Sequence, residues 1–157
     1  GEGDDTSVIR PEIFSYSPAA DRWVLAGDLT GKAGIEPLAA GTGAAIDRRY
    51  VILFGGNDGS VFNRVEAILS AMATESDTSK LKQLKNEYIS LQESHPGFSR
   101  AVIILDTETG RCTLAGEIPG PAQVTTTAVQ TPWGIVIPSG EIKPGVRTTA
   151  TRMARFR

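Results

Sequence analysis

An internal repeat is the feature that most restricts the folds open to this chain. Residues 23–29 align with residues 112–118 at an offset of 89 positions, and residues 54–57 align with residues 138–141 at an offset of 84. Once a helical stretch of about 38 residues is set aside, the period is about 50 residues, the length of one four-stranded blade in propeller folds. The repeat therefore predicts an all-β fold built from four-stranded units.

Short apolar runs separated by turn residues give the expected strands of these units. Glycine, proline, asparagine and aspartate residues lie between the runs, as they do between strands. The strand-like runs are 13–17, 23–25, 41–46, 50–54, 101–105, 111–114, 125–130, 133–137 and 146–156. We expect 133–137 to be a buried strand that ends at Pro138-Ser139-Gly140, since proline and glycine break strands.

Residues 60–94 follow a helical pattern instead. Two apolar stripes have helical spacing, and the second stops before Pro96-Gly97. The stripe residues are Val61, Val65, Ile68, Leu69 and Met72, followed by Leu81, Leu84, Tyr88 and Leu91. Residues 76–79 interrupt the pattern and offer a helix N-cap. We therefore predict an αα-hairpin inserted over residues 60–97, whose stripes pack on the protein itself; a partner-binding helix is the alternative.

Composition and charge limit the kinds of partner and site. The net charge of −2 and the pI near 5.4 argue against a nucleic-acid or anionic-membrane binder, since both need a basic surface. No apolar run approaches the roughly 18 residues of a membrane span. The single cysteine, Cys112, allows no internal disulfide, and the single histidine, His95, has no obvious partner for a metal site or a catalytic triad. We predict no metal site and no cofactor.

One stretch, residues 139–148, combines groups that can perform chemistry. Pro144-Gly145 signals a turn, so Glu141 on a strand end and Arg147 beyond the turn lie six positions apart. Loops on a rigid sheet often carry catalytic groups. Exposed glutamates and arginines are also ordinary surface residues, so the pair alone does not establish catalysis.

The repeat resembles kelch repeats. The apolar run that ends in glycines 55–56 is similar to the kelch diglycine strand, and Tyr16 followed by Trp23 is similar to the kelch aromatic pair. Glycine lets a strand end approach the propeller axis, and the aromatic residues would fill the wedge between sheets. In the second copy, Leu105 and Cys112 replace the aromatic residues.

A closer resemblance is to the N-acetylneuraminate epimerase (sialic acid mutarotase) family, particularly its cyclically permuted members. The shared features are a helical insertion after the diglycine strand and the signature Gly140-Glu141-x-Lys143-Pro144-Gly145-x-Arg147-Thr148. The resemblance implies a six-bladed kelch propeller. Residues 1–157 would then form a partial propeller domain of about two to three blades, the C-terminal fragment of a longer polypeptide.

The resemblance also implies roles for individual residues. Glu141 would be the acid/base, and Arg147 would bind the substrate carboxylate or stabilise developing charge. Lys143 and Asn57 are further candidates for substrate binding, although both residue types are also common in turns. The implied partners are a sugar acid, namely sialic acid, and the remaining blades of the parent chain. By the same resemblance the protein would be periplasmic or otherwise exported.

Two alternatives remain open from sequence. The first is a non-catalytic kelch module that binds a protein or a carbohydrate, because a fold does not decide function. The second is a glycoside hydrolase, which needs a second catalytic carboxylate at a defined separation from the first. The signature around Glu141 favours the isomerase over both.

Overall fold

The computed structural model describes residues 7–29, 35–36 and 38–155. In this part of the chain it contains nine β-strands and two α-helices. The strands are β1 (Glu12–Ser17), β2 (Arg22–Asp28), β3 (Thr42–Ile46), β4 (Tyr50–Gly56), β5 (Ser99–Asp106), β6 (Arg111–Glu117), β7 (Val129–Thr131), β8 (Gly134–Lys143) and β9 (Val146–Ala154). The helices are α1 (Ser60–Thr74) and α2 (Thr78–Glu93). The expected end of the last strand, residue 156, lies outside the described residues.

The strands form three antiparallel sheets. Their orders are β1-β2, β3-β4-β5-β6 and β7-β8-β9, and both helices lie between β4 and β5. Strand β2 lies against β6, and β3 lies against β7, so the sheets follow one another in chain order. The expectation of a mostly β fold with a helical hairpin is confirmed, whereas the number of blades and the closure of a propeller stay predictions.

The two copies of the repeat adopt the same strand register. Tyr16 pairs with Trp23 across β1 and β2, and Leu105 pairs with Cys112 across β5 and β6. The rings of Tyr16 and Trp23 are in contact, with their centroids 5.1 Å apart. Both rings are exposed to solvent, so they do not fill a wedge between sheets in the described part of the chain. Their predicted pairing is confirmed, but the burial expected for them is not observed.

The diglycine position keeps its backbone path in both copies. Gly55 and Gly56 have positive φ angles of 62° and 131°, and the aligned Ser139 and Gly140 have φ angles of 45° and 122°. Ser139 therefore adopts a left-handed conformation that is uncommon for residues other than glycine. The strand end turns in the same way although the first glycine has been replaced.

The central strands β4 and β5 are covered on both faces of the four-stranded sheet, which explains the unbroken apolar run in β4. Ile52 and Phe54 point to one side of the sheet, whereas Leu53 and Ile103 point to the other. The first side packs against the sheet β7-β8-β9, and the second packs against Leu29 and the surrounding residues. The buried residues of the larger cluster are Ile52, Phe54, Ile118, Ala122, Ala128, Ile135 and Ile137.

Strand β7 is shorter than the predicted strand 125–130. It includes only Val129–Thr131, because the preceding segment is engaged in other contacts. The Ala128 backbone N–H donates to the Thr42 hydroxyl at 2.6 Å, which ties this segment to β3. The prediction was therefore wrong for residues 125–128.

Strand β8 differs from the predicted strand 133–137 at both ends. Trp133 lies in the turn before the strand and is 72% exposed, so its expected burial is wrong. At the other end the strand does not stop at Pro138-Ser139-Gly140. It continues to Lys143 through two register shifts, one between Pro138 and Gly140 and one between Glu141 and Lys143, as at β-bulges. Glu141 therefore lies within a strand and not in a loop.

The helical insertion forms the predicted hairpin. Asp77 caps α2, since its carboxylate accepts from the backbone N–H groups of Ser79 and Lys80 at 2.7 and 3.0 Å. Ile68 on α1 is buried, but the neighbouring stripe residue Leu69 is exposed, which corrects that part of the expected packing. Neither helix in the described part of the chain is long and apolar enough to cross a membrane.

An ion-pair network joins two turns of the four-stranded sheet. Arg49 donates through Nε to Asp106 Oδ1 at 3.0 Å and through Nη2 to Oδ2 at 2.6 Å. Its Nη1 also lies 3.0 Å from Glu108 Oε2. Hydrogen bonding from the Arg49 guanidinium holds the pKa of the Asp106 carboxyl well below its ordinary value.

We expect Arg49→Met to lower the urea midpoint of unfolding at pH 7, and the loss to shrink as the pH falls below about 4. Because the pKa of Asp106 is lowered in the folded protein, its ion pair stabilises the fold above the ordinary aspartate pKa. This stabilisation disappears as the pH falls toward the lowered value. Urea titrations at about pH 7 and pH 3 measure the change. Arg48→Met at the exposed neighbouring arginine is the matched control, and equal effects of the two substitutions would contradict the prediction.

Candidate functional site

The β8–β9 hairpin brings the predicted acid and the predicted guanidinium together. Glu141 on β8 is the direct register partner of Arg147 on β9. Residues that lie opposite each other in an antiparallel pair project from the same face of the sheet. The six-residue spacing read from the sequence is therefore the spacing of a hairpin pair, and both charged groups are presented on one face.

Backbone hydrogen bonds hold Glu141 to a second segment of the chain. The Val124 N–H donates to the Glu141 carbonyl at 2.9 Å, and the Glu141 N–H donates to the Val124 carbonyl at 3.0 Å. The repeat-equivalent residue, Asn57, makes the same two-way bridge with Ala39, at 2.9 and 2.7 Å. The structure thus places Asn57 and Glu141 at equivalent positions, after Gly55-Gly56 and after Ser139-Gly140.

The carboxylate and the guanidinium do not neutralise each other. Glu141 Oε1 accepts from the Gly145 backbone N–H across the hairpin turn, which fixes the orientation of the side chain. Arg147 is exposed, and within residues 7–29, 35–36 and 38–155 the structure records no ion pair for it. Its guanidinium therefore remains available to an anionic ligand.

A buried amide supports the bulge behind Glu141. Gln123 is 2% exposed, and its Nε2 donates to the Ser139 carbonyl on β8 and, at 2.8 Å, to the Ala150 carbonyl on β9. One side chain therefore ties both strands of the hairpin together at the register shift. A misplacement of about 1 Å at a catalytic group can lower the reaction rate strongly. The hydrogen bonds of Gln123 therefore help to fix the position of Glu141.

Gly140 leaves no room for a side chain directly before Glu141. A Cβ built on it would lie 2.9 Å from the Val124 carbonyl oxygen and 3.0 Å from Gln123 Cβ. The residue also has a φ of 122°, a conformation that favours glycine. The close approach of the 123–124 segment to β8 therefore depends on this glycine.

His95 lies beside the hairpin, although it was not among the site residues predicted from the sequence. Its side chain is 3% exposed and packs against Phe98, with ring centroids 5.3 Å apart. The turn that follows it runs against β8, since a Cβ built on Gly97 would lie 3.5 Å from the Ile142 carbonyl oxygen. The exit of the helical insertion is thereby placed next to Glu141.

The environment of His95 keeps its imidazole neutral near pH 7. Burial lowers the pKa of His95, and the positive charge of Lys143 lowers it further, whereas Asp58 and Glu141 act in the opposite direction. His95 Nδ1 accepts from the Gly97 backbone N–H at 3.0 Å. In the neutral ring the proton is therefore on Nε2, which is a hydrogen-bond donor.

A polar pocket of about 240 Å³ opens where the insertion leaves and rejoins the four-stranded sheet. Its polar lining includes Asn57, Asp58, Ser60, His95 and Ser99, and Phe98 is part of its apolar wall. Asn57 and Asp58 are oriented by local hydrogen bonds, because Asn57 Oδ1 accepts from the Gly59 N–H at 2.9 Å and Asp58 Oδ1 accepts from Ser60.

The structure divides the predicted site residues into two groups. Glu141 and Arg147 lie together on the hairpin, and Lys143 lies at the end of the same strand, close enough to affect the pKa of His95. Asn57 lies in the pocket on the neighbouring sheet, together with His95. The sequence signal for His95 was its position at the helix exit before Pro96-Gly97, and Gln123 had no recognisable signal.

The chain is similar to proteins of one family over its whole length. Residues 1–157 match the family model described as N-acetylneuraminate epimerase. Proteins of Salmonella typhimurium and Salmonella typhi that carry this name are 26% and 24% identical to it over 137 residues, which is 87% of this chain. The aligned region is 34% of each of these proteins, so the chain spans about a third of the length of the curated relatives it matches.

A solved structure has a similar arrangement of sheets. The structure titled "Structure of YjhT" aligns with a TM-score of 0.70 and covers 89% of this chain and 39% of its own. The two chains are 21% identical. At this identity the likeness establishes a shared fold.

We expect Gly140→Ala to destabilise the protein by more than Gly145→Ala does. At Gly145, whose φ of 72° is left-handed helical, alanine brings strain of about 1–2 kcal/mol, and at the φ of 122° of Gly140 the backbone is less favourable still for a residue with a Cβ. Only at Gly140 does the new methyl group also collide with neighbouring backbone, whereas at Gly145 nothing lies within 4 Å. Urea unfolding measures the difference, and equal losses of stability would contradict both the backbone strain at Gly140 and the close approach of the 123–124 segment to β8.

Proposed function

Because the chain belongs to the N-acetylneuraminate epimerase family, we propose that the polypeptide containing it interconverts the α and β anomers of N-acetylneuraminic acid. The observation that carries the proposal is the register pairing of Glu141 with Arg147 on one face of a hairpin. The names of the relatives from Salmonella support it. Since the chain spans about a third of those relatives, the activity is proposed for the full-length protein.

The architecture we propose is a six-bladed kelch propeller. The four-stranded sheet would be one blade, and the sheets β1-β2 and β7-β8-β9 would be parts of the blades on either side. The remaining strands and blades would come from the rest of the polypeptide. A periplasmic or otherwise exported location is part of the same proposal and is supported by the family resemblance.

The reaction requires proton transfers at two oxygen atoms. In the cyclic sugar the anomeric carbon carries a hydroxyl group, the ring oxygen and a carboxylate. Removal of the hydroxyl proton and delivery of a proton to the ring oxygen break the bond between the anomeric carbon and the ring oxygen and leave an open-chain ketone. Rotation about the adjacent carbon–carbon bond and the reverse proton transfers close the ring on the other face of the ketone.

Glu141 is suited to move these protons. A single carboxyl group, assisted by water or by a second group, can remove the hydroxyl proton and return one to the ring oxygen. Its Oε1 is held by the Gly145 N–H, which leaves Oε2 for the substrate. The carboxylate is partly buried on a β-strand and tied to the 124 segment, so its position is fixed before the substrate binds.

Arg147 is suited to bind the substrate carboxylate. A guanidinium is planar and can donate two parallel hydrogen bonds to a carboxylate, an arrangement that lysine cannot reproduce. Arg147 projects from the same side of the hairpin as Glu141. This contact would therefore hold the anomeric carbon next to the acid/base. The ion pair would therefore provide orientation as well as affinity.

We expect Glu141→Gln to reduce the enzyme-catalysed rate of anomer exchange by about 10²- to 10⁴-fold, the usual contribution of a general acid/base. The amide keeps the shape of the side chain but cannot take up or deliver the proton. Exchange NMR of N-acetylneuraminic acid with the full-length protein measures the rate at equilibrium. Glu93→Gln on the exposed face of α2 is the matched control and should exchange the sugar at the wild-type rate.

Two results would remove this role. Retained acceleration in Glu141→Gln would exclude Glu141 as the proton shuttle. Wild-type protein that binds the sugar without accelerating its exchange would favour the alternative of a carbohydrate-binding module.

We expect Arg147→Lys to weaken binding of N-acetylneuraminic acid by about tenfold or more, because one of two charge-assisted hydrogen bonds to the carboxylate is lost. Titration calorimetry with full-length protein measures the dissociation constant. Arg111→Lys at an exposed position of β6 is the control for the same chemical change away from the site. Wild-type affinity in Arg147→Lys would exclude forked carboxylate binding by this residue.

A further inference from the structure

We propose that His95, Asn57, Asp58 and Ser60 form a subsite that binds the uncharged, hydroxylated side chain of the sugar acid, next to the Glu141–Arg147 hairpin. The proposal rests on the proposed function and extends it, because it names which end of the substrate lies where. Its basis is the pocket beside the helical insertion. The residues that line this pocket do not belong to the hairpin.

The pocket contains a hydrogen-bond donor without a protein partner. His95 Nδ1 is engaged with the Gly97 N–H, so the neutral ring can only donate through Nε2. Across residues 7–29, 35–36 and 38–155 the structure gives this nitrogen no protein acceptor, and Nε2 is not among the fully buried side-chain atoms that lack a partner, although His95 as a whole is only 3% exposed. A polar atom in a pocket wall that lacks a protein partner is available to water or a ligand.

The other polar groups of the pocket complement a sugar hydroxyl. Asp58 uses Oδ1 to hold Ser60, which leaves Oδ2 as an acceptor, and Asn57 uses its Oδ1 to hold the Gly59 N–H, which leaves its amide as a donor. A hydroxyl group both donates and accepts, so it can bridge His95 Nε2–H and a carboxylate oxygen. Phe98 offers an apolar surface for the carbon chain.

Charge distinguishes the two ends of the site. Asp58 makes the pocket unfavourable for a second carboxylate, whereas Arg147 and Lys143 favour the carboxylate at the hairpin. A neutral His95 neither attracts the carboxylate into the pocket nor repels the cations on β8. A molecule with an anionic end and a polyol end would therefore bind in one orientation.

The pocket and the hairpin are adjacent. Gly97 approaches the Ile142 carbonyl closely, so the turn after His95 runs along the strand that carries Glu141. Lys143 and Glu141 both contribute to the electrostatic environment of His95. The proposed ligand would extend from the hairpin to this neighbouring pocket.

The test compares two sugars in exchange NMR with the full-length protein. The first is N-acetylneuraminic acid, and the second is its analogue shortened by periodate cleavage and borohydride reduction, in which the three-carbon side chain becomes one hydroxymethyl group. For the wild-type protein we expect the KM of the shortened sugar to be about 5- to 10-fold higher, since about one net hydrogen bond is lost, with kcat little changed.

His95→Phe should remove the preference for the longer sugar. This substitution keeps a flat ring against Phe98 but removes Nε2–H, so the KM of N-acetylneuraminic acid should rise about 5- to 10-fold while the KM of the shortened sugar stays at the wild-type value. His95→Gln, whose amide can donate a hydrogen bond, should recover part of the preference. Wild-type exchange of the shortened sugar by His95→Phe would also demonstrate that the variant is folded.

Several outcomes would overturn the subsite. Equal KM values of the two sugars for the wild-type protein would do so without any variant, and so would equal losses on both sugars in a folded His95→Phe protein. Wild-type protein that exchanges neither sugar would overturn the proposed function itself, and the subsite with it. Both proposals are supported if Glu141→Gln exchanges neither sugar and the wild-type protein has a lower KM for N-acetylneuraminic acid than for the shortened sugar.

Discussion

The position of the candidate acid depends on two backbone hydrogen bonds between Val124 and Glu141. These bonds form because the strand turns at Ser139-Gly140, where a side chain on Gly140 would collide with the Val124 carbonyl. A carboxylate on a hairpin with no other backbone partner would shift whenever the hairpin shifts. Here the strand that carries Glu141 lies between two different segments, β9 on one side and the 124 segment on the other. The backbone of Glu141 is therefore held on both sides. Pre-organisation of this kind reduces the reorganisation needed when a substrate binds.

The repeat uses one backbone position for two different purposes. After one diglycine turn the position holds Asn57, and after the other it holds Glu141, with the same two-way bridge to a preceding segment. The amide of Asn57 is occupied in part by the loop that starts α1, whereas the carboxylate of Glu141 is steered by its own hairpin turn. The scaffold therefore determines where side chains are presented, and the residue type determines which chemistry they support.

The sequence predicted the features that arise from local pattern and failed for those that need distant contacts. The offset of 89 residues foresaw that Leu105 and Cys112 repeat the pairing of Tyr16 and Trp23, because strand register is encoded by alternation and turn length. The N-cap at Asp77 is also a local signal. The end of β8 was misjudged, because a Pro-Ser-Gly segment normally breaks a strand, and here Gln123 stabilises the resulting bulge. Its contacts join positions 16 and 27 residues apart, a separation that carries no periodic signal.

The role of the helical insertion follows from where it ends. Its length is not needed to connect β4 and β5, which are neighbours in an antiparallel sheet and could be joined by a short turn. Few of its side chains are buried, so it adds little to the main core. What the insertion does provide is a start at Asp58 and an exit at His95 that meet over one pocket, beside the strand that carries Glu141. A short turn at this point would leave the hairpin with no neighbouring polar wall, so the excursion is best understood as a way to build one side of a binding site.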